Sequence, residues 1–214
     1  MSDADARRLE QCLRAGGVAV LPTDTVYGLA CDPLQAAAVQ RLHALKGRPA
    51  QQPAAVMFFD RGAALAALPE LVGAELDAVT SLLPGPVTLL LRNRARRYPL
   101  AGAGDPDTLG LRVPRLDGAL ATLAQVASPL LQSSANPSGG ADARRLDDVD
   151  PRLLRVADLV LDGGDLPGIA STVVDLRGLA AGEAWRVVRE GALPARELQR
   201  ALGATPWRAS HRRW

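Results

Sequence analysis

The sequence predicts an α/β fold built on a mixed β-sheet, and three observations point there. Amphipathic stretches with helical spacing alternate with short apolar runs bounded by Gly and Pro. Some apolar runs follow one another with no helical stretch between, so part of the sheet is expected to be antiparallel. The chain has 214 residues, 48% of them hydrophobic, enough to bury one large core without staples. One domain is expected over residues 1–203, followed by a basic tail at 204–214 carrying Arg208, Arg212 and Arg213.

In chain order, Arg7 to Ala15 sets Leu9, Cys12 and Leu13 on one helical face, and Gly16-Gly17 ends it before a buried strand, Val18 to Leu21. Pro22 to Pro33 reads as a polar loop holding Thr23, Asp24, Thr25 and Tyr27. Gln35 to Lys46 regains helical spacing and stops near Gly47, because Pro49 forbids its continuation. Ala54 to Phe59 is a strand; Ala63 to Leu83 gives one or two helices broken near Pro69; Pro84-Gly85-Pro86 turns into the strand Val87 to Leu91. Asn93 to Asp107, rich in Arg, Gly and Pro, is predicted as a mobile loop suited to act as a lid. Further strands are predicted at Leu109–Val113, Pro129–Gln132, Leu159–Leu161, Thr172–Leu176 and Trp185–Arg189, and helices at Leu116–Val126, Asp148–Val156 and Pro194–Leu202.

Composition weighs against several function classes. A formal net charge of +2 is too small to mark a nucleic-acid protein, and seven aromatic residues are too few for base stacking. Cys12 and Cys31 lack metal-ligand spacing, and His43 and His211 form no cluster, so a reduced, cytoplasmic protein without a metal site of its own is expected. The N-terminus is polar and no run approaches spanning length, so no membrane role is expected. Neither a P-loop nor a dinucleotide-binding glycine motif is present.

Scarce residue types stand out against this background. The chain has a single lysine, Lys46, against twenty-four arginines. An ammonium is a compact point charge that reaches between phosphate oxygens, where the planar guanidinium does not fit. Lys46 and Arg48 flank Gly47 and are suited to hold separate oxygens of a triphosphate; a solvated helix end fits the same residues. Ser134-Ala135-Asn136-Pro137-Ser138-Gly139-Gly140 contains one of two asparagines and reads either as an anion cradle or as an ordinary turn. Polar residues at strand ends, with Arg112 beside Val113, point to one cleft for a small zwitterion and a polyphosphate. Asp162-Gly163-Gly164-Asp165 reads first as a glycine-rich connection, and no covalent nucleophile is evident.

Taken together, Pro22-Thr23-Asp24-Thr25-Val26-Tyr27-Gly28-Leu29, Lys46-Gly47-Arg48-Pro49, Pro84-Gly85-Pro86-Val87-Thr88, Leu111-Arg112-Val113-Pro114, Ser134-Ala135-Asn136 and Asp162-Gly163-Gly164 with Ser171-Thr172 strongly resemble the YrdC-like family. That family includes the threonylcarbamoyl-AMP synthases. The resemblance runs from about Gly16 to Gly191 and implies a single domain with a twisted mixed sheet, flanking helices and a central concave cleft. It implies a nucleotidyltransferase that makes threonylcarbamoyl-adenylate and pyrophosphate from L-threonine, bicarbonate or CO2 and ATP, with Mg2+ carried by the nucleotide. The product feeds a threonylcarbamoyl-transferase complex that modifies the adenosine beside the tRNA anticodon. By the same resemblance Lys46, Arg48, Gln52, Thr108, Ser134, Asn136 and Arg189 contact ATP, with Lys46, Arg48, Ser134 and Asn136 carrying the chemistry. Thr25, Arg112 and Ser171 hold L-threonine.

Two departures accompany the likeness. Met57 stands where many relatives have a substrate-site histidine, and Val188-Arg189-Glu190-Gly191 replaces the usual Arg-Pro-Gly, as in the YciO-like branch. Two alternatives therefore stand beside the synthase: a YciO-like enzyme with altered substrate, and an RNA-binding module contacting tRNA or double-stranded RNA.

Overall fold

A computed structural model describes residues 1–47, 53–102, 104–136 and 140–203. The predicted basic tail lies outside the described residues. Among the described residues nine strands form one mixed sheet: β1 Ala19–Leu21, β2 Gly28–Cys31, β3 Ala55–Met57, β4 Val87–Arg92, β5 Thr108–Arg112, β6 Leu130–Ser134, β7 Leu159–Val160, β8 Thr172–Asp175 and β9 Arg186–Arg189. Their order is β7-β1-β2-β6-β3-β5-β4-β8-β9. The pairs β1/β7, β3/β5 and β4/β8 are parallel, and the others antiparallel, as the mixed pattern predicted.

The described residues also form the α-helices α1 Asp3–Arg14, α2 Ala36–Leu45, α3 Arg61–Ala67, α4 Gly73–Leu82, α5 Pro151–Val156 and α6 Ala195–Leu202. The first begins earlier than its apolar spacing indicates, because Ser2 and Asp5 close a reciprocal capping box. Pro151 follows the Asp150 N-cap, so the predicted Asp148–Val156 helix starts only at α5. The predicted helix Leu116–Val126 is instead a 3-10 helix, Gly118–Gln125, entered through Gly118 at φ +54°. The polar loop drawn over Pro22–Pro33 contains β2. Its Gly-Leu-Ala-Cys sequence has little strand propensity of its own, and pairing with β1 and β6 imposes the extended form.

Registered positions share a face of a sheet, so the pairings define two unlike surfaces. One carries Leu29, Leu131, Val56, Leu111, Leu89 and Val174, all buried in the hydrophobic core. The other carries Ser134, Gln132, Arg112, Thr88 and Arg189. On this face Gln132, Arg112 and Thr88 are buried, Ser134 is half-buried and Arg189 is exposed, and buried polar groups must be paired or reserved for a ligand.

The Asn93–Asp107 segment is anchored at its base. Asn93 bonds the backbone of Arg97 and Pro106, Arg94 pairs with buried Glu75 at 2.9 Å, and Arg97 pairs with Glu70 at 2.9 Å. These bonds hold the base of the loop in which the sequence suggested a lid.

Candidate active site

Lys46 follows the last turn of α2, a helix that packs against β2, the strand beside β6. That arrangement brings Lys46, only 3% exposed, onto the turn after β6. Its ammonium donates to the Ser134 carbonyl, to Ser134 Oγ at 3.4 Å and to Asn136 Oδ1 at 3.2 Å. Ser134 Oγ donates to Asn136 Oδ1 at 2.7 Å, and Asn136 Nδ2 to the Gly140 carbonyl at 2.6 Å. The lone lysine and the Ser/Asn turn, 88 residues apart, thus converge on one point. Arg48 and Gln52, also predicted to contact ATP, lie outside the described residues, as do Pro137, Ser138 and Gly139 of the predicted cradle.

Arg112 ends β5 on the polar face and is 2% exposed. Its Nη2 is held by Asp24 Oδ1 at 2.7 Å, Thr25 Oγ1 at 2.5 Å and Thr23 Oγ1 at 3.1 Å, and its Nη1 donates to Gln132 Oε1 at 3.2 Å. Asp24 Oδ2 also accepts from the Arg115 amide at 3.0 Å. Among the described residues Arg112 Nε–H has no acceptor. A buried guanidinium with a donor still unspent is suited to an anion.

Ser171, predicted for the amino acid, shares a 2.9 Å hydroxyl contact with Thr88. Arg189 Nη2 donates to the Ser171 carbonyl at 2.8 Å. Burial lowers the Arg189 pKa, nearby Asp142 opposes this and Arg112 adds to it, yet a guanidinium stays charged. Arg112, Ser171, Arg189, Gln132 and Ser134 line one small cleft on the polar face. Gly191 supports its wall. A Cβ there would stand 2.3 Å from the Ala170 carbonyl oxygen and 2.6 Å from the Thr172 nitrogen. Gly191→Ala is therefore expected to lower stability by about 2–3 kcal/mol in urea unfolding, since only backbone is available to yield.

Tyr27 fixes the approach from β2. Its hydroxyl donates toward Asp162 Oδ1 at 2.8 Å and the Gly164 carbonyl at 2.9 Å and accepts from the Gly163 amide at 3.0 Å. Burial and Asp162 push the tyrosine pKa up to about 12, so it stays a neutral clamp. Asp162 is thereby engaged in structure. Burial likewise pushes the Cys31 thiol up to about 12, which leaves it inert as a nucleophile.

Thr108 sits on the same sheet face as Arg112, four residues along β5, roughly 13 Å at strand rise. The structure gives it to a different cavity, of about 380 Å³, where it bonds Asp105 at 2.7 Å and Arg177 at 2.8 Å. That cavity is larger than the cleft, but Arg177 and Arg186 are engaged by Asp175, and Asp105, Asp107 and Glu183 line it beside Arg92, so it offers no net positive charge to an anion. Burial pushes the Asp175 carboxyl up, yet bonds from Arg177 and Arg186 outweigh it and hold the pKa at about 2 against 3.8 ordinarily. A depressed folded pKa gives stability that is complete above about pH 4 and is lost as pH falls towards 2. Asp175→Asn is expected to cost about 1–2 kcal/mol at pH 7, reduced by screening of the partly exposed arginines, and to flatten the acid limb of a urea-midpoint profile.

Sequence reasoning named Thr25, Lys46, Arg112, Ser134, Asn136, Ser171 and Arg189 and set Thr23 and Asp24 at a strand end suited to line the cleft, but assigned no site role to Thr88 or Gln132. The missing signal was register, which decides the face on which a strand residue stands.

A family model named for Sua5, YciO and YrdC and described as telomere recombination matches residues 11–191. The threonylcarbamoyl-AMP synthase of Stenotrophomonas maltophilia is 36% identical over 71% of this chain and 82% of its own length. That of Pyrococcus abyssi is 33% identical over 89% of this chain, which spans 55% of the Pyrococcus protein. The structure of P. abyssi Sua5 complexed with L-threonine superposes with a TM-score of 0.82 at 27% identity, over 97% of this chain and 60% of that one. Escherichia coli YciO shares the fold at a TM-score of 0.75 and 24% identity, over 92% and 94% of the two chains. The model spans most of the sequence and relatives above 30% identity agree with it, so the chain belongs to the Sua5/YciO/YrdC family.

Proposed function

We propose that the chain is a threonylcarbamoyl-AMP synthase, an ATP-dependent nucleotidyltransferase acting on L-threonine and CO2 or bicarbonate. The observation that supports it best is the meeting of Lys46 with Ser134 and Asn136 beside the cleft that holds buried Arg112. Two anion-binding centres close together suit a reaction that joins a carboxylate-bearing substrate to a nucleotide. In this reading the neutral threonine amine adds to CO2 and loses one proton, giving a carbamate. A carbamate oxygen then attacks the α-phosphorus of ATP, the bond to the bridging oxygen breaks, and pyrophosphate leaves.

No covalent intermediate is required. The protein positions the reactants and neutralises charge. Lys46, with Arg48, Ser134 and Asn136, holds the triphosphate; Arg189 and Gln52 extend the nucleotide contacts. Arg112 takes the threonine carboxylate, while Thr25 and Ser171 meet its remaining polar groups. Magnesium enters with the phosphates. Residues 1–203 are the catalytic domain, with 204–214 as a tail. The product passes to a threonylcarbamoyl-transferase complex acting on tRNA.

The test is pyrophosphate release by the purified chain with ATP, magnesium and bicarbonate, with and without threonine. Threonine-dependent release is the expected result, and none would overturn the reading. Met57, paired with Arg112 across β3 and β5 and fully buried, favours a second reading in which a different amino acid is preferred. Serine and other amino acids outpacing threonine in the same assay would establish it.

A further inference from the structure

The cleft floor contains a carboxamide to which this reaction has so far given no part. Gln132 lies at the centre of the sheet on β6, between β2 and β3, and is 6% exposed. Arg112 donates to its Oε1 at 3.2 Å. An arginine carries no acceptor, so the amide oxygen must face it and Nε2 must point the other way. That direction is towards β2, where a Cβ on Gly28 would stand 2.6 Å from Gln132 Nε2. Gly28 is the registered partner of Ser134, which Lys46 contacts. The absence of a side chain at position 28 is what leaves the amide its room.

Gln132 Nε2 therefore lies between two anion-holding centres: Arg112 on one side, and Lys46 with Ser134 and Asn136 on the other. Among the described residues nothing accepts from it. A nearly buried amide with both N–H bonds unspent, lining a polar cleft, is a donor matched to a ligand oxygen.

We propose that Gln132 Nε2 forms the subsite for CO2 and the carbamate derived from it; this rests on the synthase reading. A carbamate is the group that must lie between a carboxylate held at Arg112 and an α-phosphate held near Lys46. When the amine nitrogen bonds the CO2 carbon, one C=O electron pair moves onto oxygen and the amine proton passes to water. Gln132 Nε2–H donates to that developing oxyanion, and the second carbamate oxygen stays available to the α-phosphorus.

The experiment measures steady-state pyrophosphate release against bicarbonate for wild type, Gln132→Leu and Gln132→Glu, with L-threonine affinity measured separately by calorimetry. Leucine removes the donor at similar size. Glutamate restores an acceptor for Arg112 but places an anion where the donor was. Both variants are expected to raise the bicarbonate KM on the order of tenfold or more, with threonine affinity within about twofold of wild type. An unchanged bicarbonate KM in both overturns the subsite. So does a parallel fall in threonine affinity in both, which would make Gln132 merely a support for Arg112. A wild type without threonine- and bicarbonate-dependent release removes the synthase reading and the subsite together, whereas an active wild type with unaltered variants removes the subsite alone.

Discussion

Lys46→Ala is expected to lower kcat for threonine-dependent pyrophosphate release by roughly 10²–10³-fold, the usual cost of removing a charge-stabilising donor from a preorganised site. Lys46→Arg is expected to recover little of it. The ammonium serves three oxygens from one point, at the Ser134 carbonyl, Ser134 Oγ and Asn136 Oδ1. A planar fork in a position 3% exposed meets that arrangement poorly. The alanine variant also loses hydrogen bonds, so its unfolding midpoint should fall by the equivalent of about 1–2 kcal/mol. Chemical denaturation run beside the assay separates the two. A Lys46→Arg enzyme with near wild-type kcat would show that any cation suffices there.

Arg112→Met should abolish threonine-dependent turnover and destabilise the fold as well. The guanidinium is the counter-ion of Asp24, whose side chain is 7% exposed, and breaking a buried pair from one side typically costs about 3–5 kcal/mol. This makes the single variant ambiguous. The double variant Arg112→Met, Asp24→Asn resolves it, because a neutral amide no longer leaves an orphaned charge and can still accept from the Arg115 amide. Most of the stability is expected to return in urea unfolding while turnover stays absent. Recovery of activity along with stability would reduce Arg112 to a structural role.

Residue scarcity made half of the site legible. One lysine and two asparagines in an arginine-rich chain drew attention to Lys46 and Asn136, and the structure joins them through Ser134. The core strands were legible because runs such as Val18–Leu21 are apolar and bounded by Gly and Pro. β2 was not. Its small residues are extended only because two neighbours pair with it, a tertiary effect that no local window contains. Gln132 looked like the end of a strand and Thr88 like an ordinary strand residue. Their place beside Arg112 follows from strand order, in which β6, β3, β5 and β4 are adjacent although far apart in sequence. Thr108 shows the converse: four residues from Arg112 along the chain, it opens onto another cavity.

The division of the sheet into an apolar and a polar surface ties heredity of shape to heredity of chemistry. Inserting one residue early in β5 would turn Arg112 towards the helices and bring Leu111 into the cleft, so the lesion that ruins packing would disarm catalysis at the same stroke. Exchanging a single side chain on the Arg112 face at a fixed position, as at Met57 or Gln132, keeps the strand register. New substrates should therefore arise in this architecture by point replacement on a constant frame, with insertions confined to the connections.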